Sequence, residues 1–308
     1  MKFLCLPGAY GSAKVCKNAP FIFKGRTTDR FVSIIRTLAS NSAPLPSMWR
    51  IGGLANFTYT QGVHEVDPPA GWEHYFGARP VYRFIDCTSG DGGDAFEILR
   101  RVRHIPRGLT PEATLRLFKK EDDEVFDTSS AQEALDSIFK TIDEDPEVDA
   151  LIGYSEGAML AASICCEEER RFEKEGIPRR IKFAIFFAGS PPLAIEDGEC
   201  TAKLADECGP VIDIPTLHVF GTNDPLVYCA VALYNSCNPD TAELYDHGLG
   251  HLVPRDADNV EQLGDILQKI IKKIQKAETA GTGTPCSEYT EFSDSTDCKG
   301  GKDGCRIE

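Results

Sequence analysis

Between the largely apolar run Val148 to Ile152 and the helix-forming stretch Ala158-Met159-Leu160-Ala161-Ala162 lies Gly153-Tyr154-Ser155-Glu156-Gly157. A G-x-S-x-G pentapeptide in this setting predicts strand, sharp turn and helix, with the serine at the turn and glycines keeping side chains out of it. The hydroxyl of such a serine is exposed near the helix N-terminus. Free backbone N–H groups there can hold a developing oxyanion. The pentapeptide alone also fits an ordinary structural turn in a chain with 27 glycines. The rest of the sequence has to separate these readings.

Short apolar runs alternate with amphipathic stretches along the chain, the pattern of an α/β fold. Lys2 to Leu6, Ala55 to Thr60, Val148 to Ile152, Ile181 to Ala188, Thr216 to Gly221 and Thr241 to Tyr245 are expected strands. Ile181 to Ala188 is almost wholly apolar, as in the middle of a parallel sheet covered on both faces. Helices are expected over Ala131 to Asp143, from the pentapeptide to about Lys174, and over Val260 to Ile274. In the first of these, Ala131, Leu135, Ile138, Phe139 and Ile142 share one face; in the last, Leu263, Ile266, Leu267, Ile270, Ile271 and Ile274 do. The expected architecture is a mostly parallel central sheet with helices on both faces, in one domain over residues 1–276. Residues 277–308, rich in Gly, Ser, Thr and acidic residues, are expected to form a disordered acidic tail.

Charge and cysteine usage narrow the partners. A net charge of −15 argues against nucleic acid or an anionic membrane, and no apolar run reaches the roughly 20 residues of a membrane span. Phe3-Leu4-Cys5-Leu6 is stopped by Pro7-Gly8, too soon for a secretory signal. The 12 cysteines are scattered without a C-x-x-C pair, which favours a reduced, cytoplasmic protein over a disulfide framework. Cys305-Arg306-Ile307-Glu308 is a poor match to a prenylation signal. Neither a metal nor a cofactor is expected.

A serine hydroxyl becomes a useful nucleophile only when a base takes its proton, usually a histidine oriented by a carboxylate. Where the serine lies on a G-x-S-x-G strand-to-helix turn, its partners follow in the order Ser, then Asp or Glu, then His. Asp224 follows the strand ending at Gly221 and fits the acid position, although Asp is also common in turns for its own backbone hydrogen bonds. His251 and His247 compete for the base; His251 comes after the glycine-rich turn and is favoured, whereas His247 closely follows the strand and would shape the loop. His64, His74, His104 and His218 fall outside the order, His218 within a strand as a core histidine. The backbone N–H of Glu156 and one from Leu6-Pro7-Gly8-Ala9-Tyr10-Gly11, Ala9 ahead of Tyr10, are expected to form an oxyanion hole. The alternative is an ordinary Gly-rich turn. Tyr10, Trp72, Tyr75 and Phe76, with Pro68 and Pro69, could line an acyl pocket or merely pack a long loop.

Taken with Tyr59-Thr60-Gln61-Gly62-Val63-His64-Glu65, Tyr82-Arg83-Phe84-Ile85-Asp86 and Phe186-Phe187-Ala188-Gly189, these motifs resemble the fungal family of serine hydrolases. That family is a branch of the α/β-hydrolase superfamily. Within it, the chain is similar to esterase and thioesterase members associated with polyketide gene clusters. The resemblance implies an α/β-hydrolase fold, a Ser155-His251-Asp224 triad and an acyl-enzyme formed from an ester or thioester. It further implies a small-molecule acyl substrate, including a polyketide held on a carrier protein. Acyl transfer to another nucleophile and a catalytically silent binding role are the alternatives. Two departures stand out: Pro7-Gly8 replaces the family's His-Gly, and residues 24–56 do not follow the family pattern.

Overall fold

The computed structural model describes residues 1–11, 55–67, 80–86, 104–106, 108–117 and 127–279. Most of the atypical stretch 24–56, the candidate pocket residues Trp72, Tyr75 and Phe76, and residues 280–308 therefore lie outside the described residues. So does His74.

Six strands form one sheet: β1 (Lys2–Leu6), β2 (Asn56–Tyr59), β5 (Ala150–Tyr154), β6 (Phe183–Phe187), β9 (Thr216–Phe220) and β10 (Ala242–Asp246). Their spatial order is β10-β9-β6-β5-β1-β2, and all five neighbouring pairs are parallel. Parallel neighbours need crossovers, and the helices that supply them cover both faces. Leu4, Leu6, Leu151, Ala184 and Phe186 point to one face, against Leu135, Ile138 and Ile142 of α2 (Thr128–Glu144) and Met159, Leu160 and Ile164 of α3 (Glu156–Glu175). Phe3, Cys5, Ile152, Ile185, Leu217 and Val219 point to the other, against Leu263, Leu267, Ile270 and Ile271 of α6 (Ala257–Thr279). Side chains alternate across a strand, so a strand covered on both sides reads as continuously apolar. Each such Leu, Ile or Phe removed from water contributes about 1.5–3 kcal/mol.

The remaining elements are short. β3 (His64–Val66) pairs antiparallel with β4 (Val81–Arg83), and β7 (Leu193–Glu196) with β8 (Glu199–Ala202). Helices α1 (Pro111–Arg116), α4 (Ala205–Cys208) and α5 (Val227–Asn235) complete the described elements. Neither hairpin was expected from the sequence, because strands of three or four residues carry too little alternation to read.

The structure shifts several expected boundaries. Helix α2 begins at Thr128 rather than Ala131, because the Asp127 carboxylate accepts the Ser130 N–H at 2.6 Å and caps it. The strand expected at Val148 to Ile152 runs over Ala150–Tyr154, carried to the glycine turn by its parallel pairing with β6. Helix α6 continues past residue 276 to Thr279, so the expected tail boundary falls inside it; Glu278 there pairs with Lys182 at 2.5 Å. At the N-terminal rim of the sheet, the Lys2 N–H donates to Asp149 at 2.6 Å and its ammonium pairs with Asp145 at 2.7 Å.

Candidate active site

Ser155 sits between β5 and α3 with φ 54° and ψ −116°, a left-handed conformation that is costly for a residue with a Cβ. It is held there from both sides. Its N–H donates to the Phe187 carbonyl at 2.9 Å, and its carbonyl accepts from Ala158 and Met159 at 3.0 and 3.1 Å. The flanking glycines are required by close approach. A Cβ at Gly153 would lie 2.4 Å from Ala158 Cα, and one at Gly157 would lie 2.3 Å from the Leu6 carbonyl oxygen. The second contact brings α3 against the end of β1, where the Pro7–Gly11 loop begins.

His251 Nε2 lies 3.0 Å from Ser155 Oγ, and His251 Nδ1 lies 2.7 Å from Asp224 Oδ2. With the Nδ1–H donating to the carboxylate, Nε2 is left as an acceptor for the serine hydroxyl. Asp224 is 3% exposed, and its other oxygen accepts the Leu226 N–H at 2.8 Å. One carboxylate oxygen thus closes the turn and the other faces the imidazole.

The loops carrying Asp224 and His251 are joined to each other. Asp246 Oδ1 accepts the N–H groups of Thr222 at 2.9 Å and Gly248 at 2.8 Å, and Asn223 Nδ2 donates to the Gly248 carbonyl at 2.7 Å. A Cβ on Gly221 would fall 1.8 Å from the Leu249 carbonyl oxygen, so the two loops pack backbone to backbone. Tyr154 closes the arrangement: its hydroxyl donates to the His251 carbonyl at 3.2 Å.

The other histidines have separate surroundings. His247 is buried, its Nδ1 accepts the Leu249 N–H at 3.2 Å, and burial lowers its pKa. His218 is 2% exposed, hydrogen-bonded to Thr216 Oγ1 at 3.0 Å and ringed by Phe186 and Tyr234. Desolvation lowers its pKa to about 3, so it stays neutral. His64 Nε2 lies 3.1 Å from Ser130 Oγ, and His104 is exposed. The buried Cys165 and Cys229 are poor competing nucleophiles, because burial raises both thiols, Cys229 to about 12.

The candidate oxyanion donors lie at the start of α3 and in the loop after β1. Glu156 is the first residue of α3, where a backbone N–H has no acceptor within the helix. Ala9 lies in a turn closed by the Gly11 N–H on the Gly8 carbonyl at 3.0 Å, with Tyr10 at φ 63°. Tyr10, expected beside the substrate, is 9% exposed, and its ring lies 5.8 Å from the Arg83 guanidinium carbon. Reading the sequence missed Tyr154, Asp246 and the side chain of Glu156, which accepts from Arg83 and Phe84. The pentapeptide and the histidine motif contain all three, but neither motif says where such side chains turn.

Among the described residues no group of three or more His, Cys, Asp or Glu could hold a metal ion, and no helix is long and apolar enough to cross a membrane. A groove of about 1260 Å³ bordered by Phe139, Cys166, Arg170, Arg179 and Lys203 is lined by none of Ser155, Asp224 or His251. It therefore contributes no wall to this site.

Residues 1–263 match the family described as "Serine hydrolase (FSH1)". Among individual relatives, "Esterase FPY3" of Fusarium mangiferae is 35% identical over 148 residues, 47% of this chain and 65% of that protein. The chain thus spans just under two thirds of that relative's length. "Hydrolase phiM" of Talaromyces stipitatus is 23% identical over 292 residues, covering 91% of this chain and 88% of its own. Among solved structures, acyl-protein thioesterase 2 of Zea mays aligns at 13% identity with a TM-score of 0.45, over 88% of this chain and 93% of that one.

Proposed function

We propose, from the premise that this chain belongs to the serine hydrolase (FSH1) family, that it cleaves an acyl ester or thioester through Ser155, His251 and Asp224. The observation that carries this reading is the continuous relay from Ser155 Oγ to His251 Nε2 at 3.0 Å and from His251 Nδ1 to Asp224 at 2.7 Å. Ser155 Oγ attacks the acyl carbonyl as His251 Nε2 takes its proton, and Asp224 holds the ring's tautomer and stabilises the cation. The N–H groups of Glu156 and Ala9 receive the tetrahedral oxyanion. His251 then protonates the departing alcohol or thiol, leaving Ser155 acylated. Water, deprotonated by the same nitrogen, releases the acid and restores the serine.

The substrate we favour is a small-molecule acyl ester or thioester, with a polyketide thioester of fungal secondary metabolism as the specific case. Names of relatives that include "esterase" and "hydrolase" support the reaction class. A net charge of −15 repels an acidic carrier protein at long range, so a free acyl thioester is the cleaner first substrate. We place the hydrolase unit over residues 1–279, in the cytoplasm, on its α6 boundary and its scattered cysteines.

Fluorophosphonate labelling of the purified chain tests the reading. The wild type is expected to label, and Ser155→Ala and His251→Ala are not. A folded wild type that fails to label would sink the enzyme reading and leave a binding protein. Turnover of matched oxoester and thioester, with and without an added alcohol or amine, then separates esterase, thioesterase and acyltransferase.

A further inference from the structure

The carboxylate of the residue immediately after the candidate nucleophile is held by two donors. Glu156 is 7% exposed at its side chain and accepts from Arg83 Nε at 3.3 Å and from the Phe84 N–H at 3.1 Å. Arg83 ends β4, and the same short strand reaches the first loop at two places. The Tyr82 N–H donates to the Gly11 carbonyl at 3.0 Å, and the Arg83 guanidinium stands over the Tyr10 ring. Glu156 and the turn holding Ala9 are therefore fastened to one strand. Each carries one of the two candidate oxyanion N–H groups, and an oxyanion hole depends on the spacing between such donors.

We infer that Arg83 and Glu156 are positioning residues, a partly buried ion pair that fixes the Ala9–Tyr10 turn against the start of α3 and so sets the oxyanion hole. This assignment rests on the hydrolase reading above. The pair has a second, electrostatic effect. An anion one residue from the nucleophile opposes the negative charge that develops on the carbonyl oxygen. The guanidinium cancels it, helped by the positive end of α3. Removing Arg83 alone leaves an uncompensated buried carboxylate, and removing both charges does not.

The test is steady-state hydrolysis of a p-nitrophenyl ester by the full chain, with rates normalised to sites titrated by a fluorophosphonate. Arg83→Met is expected to lower kcat per titrated site about 10²-fold, the scale of one misplaced oxyanion donor, with KM changed by less than about threefold. Glu156→Gln keeps an acceptor for the Phe84 N–H and should lose only about tenfold or less, as expected for a lost ionic restraint. The double variant should be about tenfold faster than Arg83→Met, because the stranded anion is gone. A purely structural pair would lower the melting temperature and the number of titratable sites but leave kcat per site at the wild-type value. That outcome, or a double variant no faster than Arg83→Met, overturns the inference. Should Arg83→Met not fold, Arg83→Lys is read instead; it keeps the charge without the planar fork, and about tenfold loss in kcat is expected. Wild-type kcat in Arg83→Lys then overturns the inference. A wild type that does not titrate at all strikes the hydrolase reading, whereas a reactive wild type with unaffected variants strikes only the ion pair's role.

Discussion

The two sides of the candidate site are held by different means. On the acid and histidine side, the loops after β9 and β10 are tied by bonds between residues 24 to 27 positions apart, through Asp246, Asn223 and Asp224 itself. Their strands are also neighbours in the sheet. On the side of the candidate oxyanion donors, the start of α3 is tied to Arg83 and Phe84 by contacts 73 and 72 positions apart, and β4 is tied in turn to the β1 loop through the Tyr82 N–H and the Gly11 carbonyl. A local arrangement is nearly assembled once its two strands pair. A distant one must close a long loop, at an entropic cost that grows slowly with length. The comparison teaches that loops at one end of a sheet can be held by local loop chemistry or by contacts from a remote strand.

The largest expected effect treats both sides alike. Ser155→Ala or His251→Ala should reduce kcat by about 10⁴–10⁶, and Asp224→Asn by about 10⁴, measured on the same ester. A residual rate near wild type in any of them would remove the premise of the comparison. Next is Gly221→Ala, aimed at the local side alone. Its Cβ meets the Leu249 carbonyl, so overpacking should cost about 1–3 kcal/mol in urea unfolding and separate Asp224 from His251. Loss of stability without loss of kcat per titrated site would show that the two loops need not touch.

A smaller effect is expected from Tyr154→Phe, which deletes only the hydroxyl on the His251 carbonyl. About 1 kcal/mol should appear as a several-fold fall in kcat with the melting temperature little changed. An unchanged kcat would mean that the stitched loops alone orient the histidine. The smallest effect at neutral pH is on stability and lies away from both sides. His218 has a folded pKa of about 3, far below the ordinary value of 6.5, so the unfolded chain binds its proton first. Its contribution is complete above pH 6.5 and is lost as pH falls toward 3, at up to about 1.4 kcal/mol per pH unit. Melting curves from pH 7 to 4 should show a steeper decline for wild type than for His218→Gln. Parallel declines would assign acid sensitivity elsewhere, such as to His247.

These differences track what could be read in the sequence. Ser155 and Asp224 were legible because each follows an apolar run, and apolar runs are what a doubly covered sheet requires; His251 was legible only from its glycine-rich loop, since the strand before it, Ala242–Asp246, is largely exposed. The central strands were legible for the same reason, to within two residues. Their ends were set by capping and pairing, as Asp127 shows for α2. Hairpin β3–β4 was not legible, and neither was the partner of Glu156, since nothing about Arg83 marks it as facing a residue 73 positions away. The first loop could be named, but what braces it could not. Trp72, Tyr75 and Phe76 lie outside the described residues, so the acyl pocket stays an expectation from sequence.

The six parallel strands all end at one rim, where Ser155, Asp224 and His251 lie, while Lys2, Asp145 and Asp149 tie the opposite rim together. Inheritance can act on these rims separately. Loops at the first can lengthen, shorten or be exchanged while the second keeps the sheet in register. One scaffold can thereby pass through many substrates without having to refold for any of them.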